Sequence, residues 1–91
     1  MAKAIITFKI MPQSPDVDLA AIEAAAKQKI EAAQGKVGKI EQEPVAFGLK
    51  AVMVTCMRDE ELGDTESLEK ELSSIENVAS VMVAGVGRAL G

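Results

Sequence analysis

Histidine, tryptophan and tyrosine are absent from this chain, and its 91 residues include one cysteine and two phenylalanines. Without histidine, the commonest general base and a principal zinc ligand are missing. The lone Cys56 cannot form an internal disulfide, which suits a reducing cytosol, and its apolar neighbours make it a small core residue and not a reactive thiol. Carboxylates and lysines remain as acid–base groups, but the inventory argues against an enzyme and supplies no cofactor or metal site. No apolar run approaches the roughly 20 residues of a membrane span. The first apolar segment is broken by Thr7 and Lys9 and does not read as a signal peptide. Positive charge is also scarce: 10 Lys and Arg against 14 Asp and Glu give a net −4. An acidic chain with no basic stripe has no general attraction to nucleic acid. These absences point to a cytoplasmic protein and away from an enzyme.

What is present is an apolar content of 48%, much of it alanine, enough for one domain over residues 1–91 with a single modest core. Ala2–Met11 alternates as a strand, with Ala4, Ile6, Phe8 and Ile10 on one face and Ile5, Thr7 and Lys9 on the other. Pro12 and Pro15 end it. Asp16 or Asp18 caps a helix whose stripe is Leu19, Ile22, Ala26, Ile30 and Ala33, with Glu23 and Lys27 paired on its wet side. Gly35 is expected to stop that helix in the left-handed conformation. Lys36–Val45 reads as a polar edge strand with Val37 and Ile40 on opposite faces. After a turn at Pro44–Gly48, Leu49–Met57 is apolar on both faces and is expected at the centre of a sheet. An acidic loop from Arg58 leads to a second helix, capped by Asp64 or Thr65, striped by Leu68, Leu72 and Ile75 and ended by Asn77. A last strand starts at Val78 and is expected to leave the sheet at Gly85 and Gly87. The order β-α-β-β-α-β predicts an α+β, ferredoxin-like fold: a four-stranded antiparallel sheet with two helices on one face.

That fold serves many functions, so the residues must decide. Base-stacking aromatics on the central strands are missing, which excludes an RNA-recognition surface. "GVGRALG" has no helix after it to cradle a phosphate, and paired cysteines for copper are absent. The acidic run Asp59–Glu61 with Asp64 lacks calcium-loop spacing and reads as a solvated turn. An acylphosphatase-like cradle needs Arg and Asn, and the only asparagine is Asn77. Met82 either packs in the sheet or, if the second face is not fully covered, faces solvent or a partner. Phe47 admits two readings: it seals the end of the core, or it stands exposed on a stiff turn between Pro44 and Gly48 as an anchor for another protein. Arg88 is either a solvated terminal charge or a cation delivered to a partner's acidic or metal-containing site. Lys50 is either a solvated strand lysine or a secondary contact.

"ITFKIMP", "PVAFGLKAVMVTC", "RDEELGDTESLEKEL" and "VASVMVAGVGRAL", in that order, resemble the exchange domain of the translation elongation factor 1-beta family. The likeness covers the whole chain, in the short, stand-alone archaeal form. It implies the ferredoxin-like fold again, and a role in releasing GDP from elongation factor 1-alpha, the GTPase that delivers aminoacyl-tRNA. By this resemblance Phe47 packs against the GTPase and Arg88 reaches its magnesium and phosphate region, where the family commonly has lysine. The tryptophan of many eukaryotic relatives is missing, with Val37 near its place. No direct nucleic acid contact and no membrane are implied, and the oligomeric state is not specified. A second class remains alongside: a small ferredoxin-like regulatory domain that binds a metabolite or oligomerises through its sheet face.

Overall fold

The alternating apolar residues of the first segment form strand β1 (Ala2–Pro12), with Ile6, Phe8 and Ile10 buried on one face. The computed structural model describes residues 2–62 and 65–90, with the side chains of Ala2, Leu62, Ala89 and Leu90 left aside. Asp64, one of two expected caps of the second helix, lies outside the described residues. Helix α1 (Leu19–Ala32) starts at Asp18, whose carboxylate accepts from the Ala20 N–H at 3.1 Å, so Asp18 and not Asp16 is the cap. Ile22, Ala26 and Ile30 are its buried stripe. Strands β2 (Lys36–Pro44) and β3 (Lys50–Asp59) form a hairpin. A 3-10 turn (Glu60–Leu62) precedes helix α2 (Glu66–Ser73), which buries Leu68 and Leu72. Strand β4 (Val78–Leu90) closes the chain.

The sheet is antiparallel in the order β2-β3-β1-β4, and both helices lie on one face, the ferredoxin-like α+β arrangement. β3, apolar on both faces, is central as expected, and polar β2 is an edge. The core is Ile6, Phe8, Ile10, Ile22, Ala26, Ile30, Val52, Val54, Cys56, Leu68, Leu72, Ile75 and Val78. Phe8 is wholly enclosed.

Local departures from expectation have tertiary causes. Gln34, not Gly35, takes the left-handed conformation after α1, with φ 66°. Gly35 N–H bonds the Ile30 carbonyl at 2.8 Å and Gln34 N–H that of Glu31 at 3.1 Å, the paired bonds of a Schellman end. Gly35 answers instead to crowding, since a Cβ there would lie 2.7 Å from Ile30 Cγ2 and 3.1 Å from Arg58 Cγ. Val37 and Ile40 lean on the core from the same face, because the pairing skips Gly38: Val37 faces Cys56 and Lys39 faces Thr55. Glu23 does not pair with Lys27; it accepts from the Gln42 amide at 3.0 Å, tying α1 to β2. Arg58 and Asp59 belong to β3, not to a loop. α2 stops at Ser73, and Asn77 takes its left-handed φ of 71° in the turn into β4. Gly85 and Gly87 stay in the sheet opposite Thr7 and Ile5, and the irregularity there is a bulge that leaves Ala84 unmatched.

That bulge has a consequence for what β4 displays. It turns Val86 and Arg88 to the helix side, opposite Ile6 and Ala4. The eight-residue α2 packs near Val81 and does not reach this far, so Val86 remains 70% exposed. One corner of the helix-bearing face is therefore open at the end of β4.

Candidate functional site

The β2–β3 turn is closed by two backbone bonds: Leu49 N–H to the Ala46 carbonyl at 3.0 Å, and Val45 N–H to the Leu49 carbonyl at 2.8 Å. Both central residues have positive φ, Phe47 at 56° and Gly48 at 77°. Two successive positive values match the type I′ turn, whose twist suits a hairpin and whose usual occupants are Asn-Gly or Asp-Gly. Gly48 meets that demand freely. Phe47 does not: a left-handed residue with a Cβ costs roughly 1–2 kcal/mol. Its ring is also 96% exposed, so it seals nothing and gains no burial for that cost. Of the two readings open in the sequence, the core seal is thereby removed.

Lys50 follows at the start of β3, exposed, on the rim of a cleft of about 200 Å³ between the hairpin, the β1–α1 loop and the start of α1. Pro12, Ser14, Pro15, Leu19, Gln42 and Gly48 complete it. Phe47 and Lys50 thus share one end of the molecule. Arg88 occupies the other end, in a row with Ala4 and Arg58 across the sheet. From Lys50 to Arg58, β3 alone runs roughly 25 Å at the strand rise, in a molecule whose longest dimension is 41 Å. The structure brings Phe47 and Lys50 together and leaves Arg88 apart from them.

Arg88 is not a free terminal charge. Its Nε lies 2.7 Å from Glu60 Oε2 and its Nη2 donates to Glu60 Oε1 at 3.0 Å, a two-point pair with both side chains partly in solvent. Sequence reading missed Glu60, which lies 28 positions away and is delivered by the 3-10 turn after β3. The open sheet face, expected from two helices on one side, carries Thr7 and Thr55, whose hydroxyls share a hydrogen bond of 3.1 Å. Met53, Lys39 and Glu41 stand around them in a shallow groove of about 480 Å³. Met82 projects from that same face, 55% exposed, instead of packing in it.

No described cluster of three or more acidic or cysteine side chains is placed to hold a metal. Among the described residues no helix is long and apolar enough to cross a membrane. Cys56 is buried, and that burial pushes its thiol above the ordinary value of 9.0 against the weaker pull of Arg58. A raised acid holds its proton longer in the folded than in the unfolded state. Its contribution to stability is therefore complete below the unfolded thiol's range and is lost as pH climbs from there through the raised folded value. Native protein at pH 8 should alkylate with iodoacetamide at least ~100-fold more slowly than unfolded protein, since labelling must await opening. The denaturant midpoint should fall as pH passes 9.0. Rapid labelling of the native state would contradict the placement of Cys56.

A family model described as the EF-1 guanine nucleotide exchange domain matches residues 5–89. The chain is 42% identical over 84 residues to the elongation factor 1-beta of Methanosphaerula palustris, covering 92% of this chain and 94% of that one. It is 41% identical over 88 residues to that of Methanobrevibacter smithii, covering 97% and 98%. Among solved structures, the C-terminal domain of the MgtC protein from Mycobacterium tuberculosis superposes with a TM-score of 0.63 at 13% identity. It covers 96% of this chain and 87% of that one, a likeness of fold alone.

Proposed function

The chain belongs to the family of EF-1 guanine nucleotide exchange domains, and on that footing we propose that it speeds GDP release from elongation factor 1-alpha by gripping the GTPase from both ends of its sheet. It is a guanine nucleotide exchange factor of translation elongation. Exchange makes and breaks no covalent bond, so the missing histidine and the protonated, buried Cys56 cost the role nothing. The single observation that carries the mechanism is Phe47: an aromatic 96% exposed in a left-handed conformation it does not favour. Strain without local benefit is explained when the benefit lies on a partner. The ring fills a pocket of the GTPase, rigidly presented and with little entropy to lose. Lys50 adds a contact beside it.

Arg88 acts at the opposite end, toward the partner's magnesium and phosphate region. Because the two ends are roughly 25 Å apart along the strands, no single loop of the GTPase meets both. The factor shifts the nucleotide equilibrium by the difference between its affinities for the empty and the loaded GTPase. Residues 1–91 act as one exchange module, in the cytoplasm, through protein contacts. A net charge of −4 offers no hold on nucleic acid.

The test is release of a fluorescent GDP analogue from elongation factor 1-alpha with substoichiometric protein. Multiple-turnover acceleration is expected, lowered roughly tenfold or more in Arg88→Ala, an effect of at least ~1.4 kcal/mol. Unchanged exchange in Arg88→Ala would remove that residue from the mechanism. No acceleration by folded protein would leave the fold without the activity.

A further inference from the structure

A guanidinium has five N–H donors in a rigid fork and two edges that can each hold a pair of oxygens. The chain has two arginines, and both lie on the helix-bearing side of the sheet, flanking Ala4. Arg58 Nε donates to the Ala33 carbonyl at the end of α1, at 3.2 Å. Arg88 engages Glu60 through Nε and Nη2, which is the side-on edge. That leaves both Nη1 protons and one Nη2 proton, and among the described residues none of the three has an acceptor. The remaining Nη1–H and Nη2–H are parallel, the end-on edge with which arginine grips a carboxylate or phosphate bidentately.

Glu60 opens the 3-10 turn directly after β3, and the backbone there is tied to the strand end by the Glu61 N–H, which donates to Asp59 Oδ1 at 3.1 Å. The Glu60 carboxylate therefore meets Arg88 from a backbone segment fixed to the end of β3, across the corner that α2 leaves open.

We infer that Glu60 is a positioning residue for Arg88: it holds the side-on edge so that the end-on edge faces out, already oriented for a bidentate oxyanion on the GTPase. This rests on the exchange role proposed for Arg88. An unrestrained arginine at an exposed strand end would have to lose its rotamer freedom on docking, whereas the paired one has lost it beforehand. The Arg88–Glu60 unit carries no net charge, so it recognises its target by paired donors more than by long-range attraction. A lysine could not do this, because a single ammonium has no second edge to offer once a carboxylate occupies it.

Two measurements test the inference separately from the function it serves. With two arginines, the Nε–H signals of 15N-labelled protein are readily told apart. The Arg88 signal should be shifted and slow to exchange with water in the free protein, and lost in Glu60→Ala while the Arg58 signal persists. In the GDP-release assay, Glu60→Ala should lower exchange efficiency about threefold to tenfold with the thermal midpoint little changed. Glu60→Gln, which keeps one acceptor oxygen, should recover part of that loss. In an Arg88→Ala background, Glu60→Ala should have no further effect, because a residue acting only through Arg88 has nothing left to act on. An Arg88 Nε–H signal indifferent to Glu60→Ala would overturn the pairing. Equal losses from Glu60→Ala with and without Arg88 would overturn the positioning role. A Glu60-dependent Arg88 signal in the wild type, together with exchange unchanged by Arg88→Ala, would instead overturn the role of Arg88 on which the inference stands.

Discussion

Phe47→Asn is expected to make this protein more stable and nearly inactive in exchange. The stability gain follows from the turn. Phe47 has φ 56° beside Gly48 at 77°, and asparagine tolerates that region far better than a bulky aromatic. Relief of up to about 1 kcal/mol is expected, a rise in Tm of roughly 4–8 °C for a domain of this size. Nothing opposes it, because the ring is almost entirely in solvent and packs on no core residue. The activity loss follows from the same exposure. Truncating a central aromatic anchor costs about 2 kcal/mol or more of binding, so exchange efficiency should fall at least ~30-fold. Phe47→Ala should match that loss while leaving stability near wild type, since alanine keeps the left-handed strain. Calorimetry and the GDP-release assay on both variants separate the effects. A drop in Tm for Phe47→Asn would mean the ring seals part of the fold after all.

Much of the fold is legible in the sequence, and what is not shares one physical cause. Strand β1, helix α1 and central β3 follow from period and apolar content, because each buries its face in the way its own residues prescribe. The errors sit where a residue answers to a neighbour distant in sequence. A glycine after a helix suggests a left-handed stop, yet Gly35 is required by Ile30 and Arg58, and Gln34 bears the unusual φ. Strict alternation puts Val37 and Ile40 on opposite faces, but pairing with β3 skips Gly38 and brings both to the core. Glycines in the last strand suggest fraying, yet β1 holds Gly85 and Gly87 in register. The candidate site divides in the same way. Phe47 was visible because a rare aromatic stood at a turn, though the sequence left its direction open. Its strained backbone was not visible, since the sign of φ is set by the twist of two paired strands. Glu60 carried no mark at all: one glutamate in an acidic run, made specific only by the bulge that turns Arg88 toward it.

The other phenylalanine should show the reverse behaviour. Phe8→Ala is expected to lower stability by about 3–5 kcal/mol, a large part of the 5–15 kcal/mol typical of a domain. Tm should fall by roughly 15–30 °C. Phe8 is fully buried on β1, the strand flanked by β3 and β4, and its cross-strand neighbours are Val54 and Val83. Every other member of the core is aliphatic or the small Cys56, so no neighbour has the bulk to refill the space. The β4 bulge abuts this position, between the pairings of Thr7 and Phe8, which limits how far the sheet can collapse onto the void. Exchange should nevertheless survive. Phe8 touches neither the Phe47 turn nor the Arg88 corner, so well below its new midpoint the variant should retain exchange efficiency within about threefold of wild type, because the surfaces proposed to meet the GTPase are unaltered. Thermal unfolding of Phe8→Ala and its exchange rate at low temperature decide the matter. A Tm within a few degrees of wild type would refute the enclosed core, while lost exchange in folded protein would mean that the two ends depend on the core for more than support.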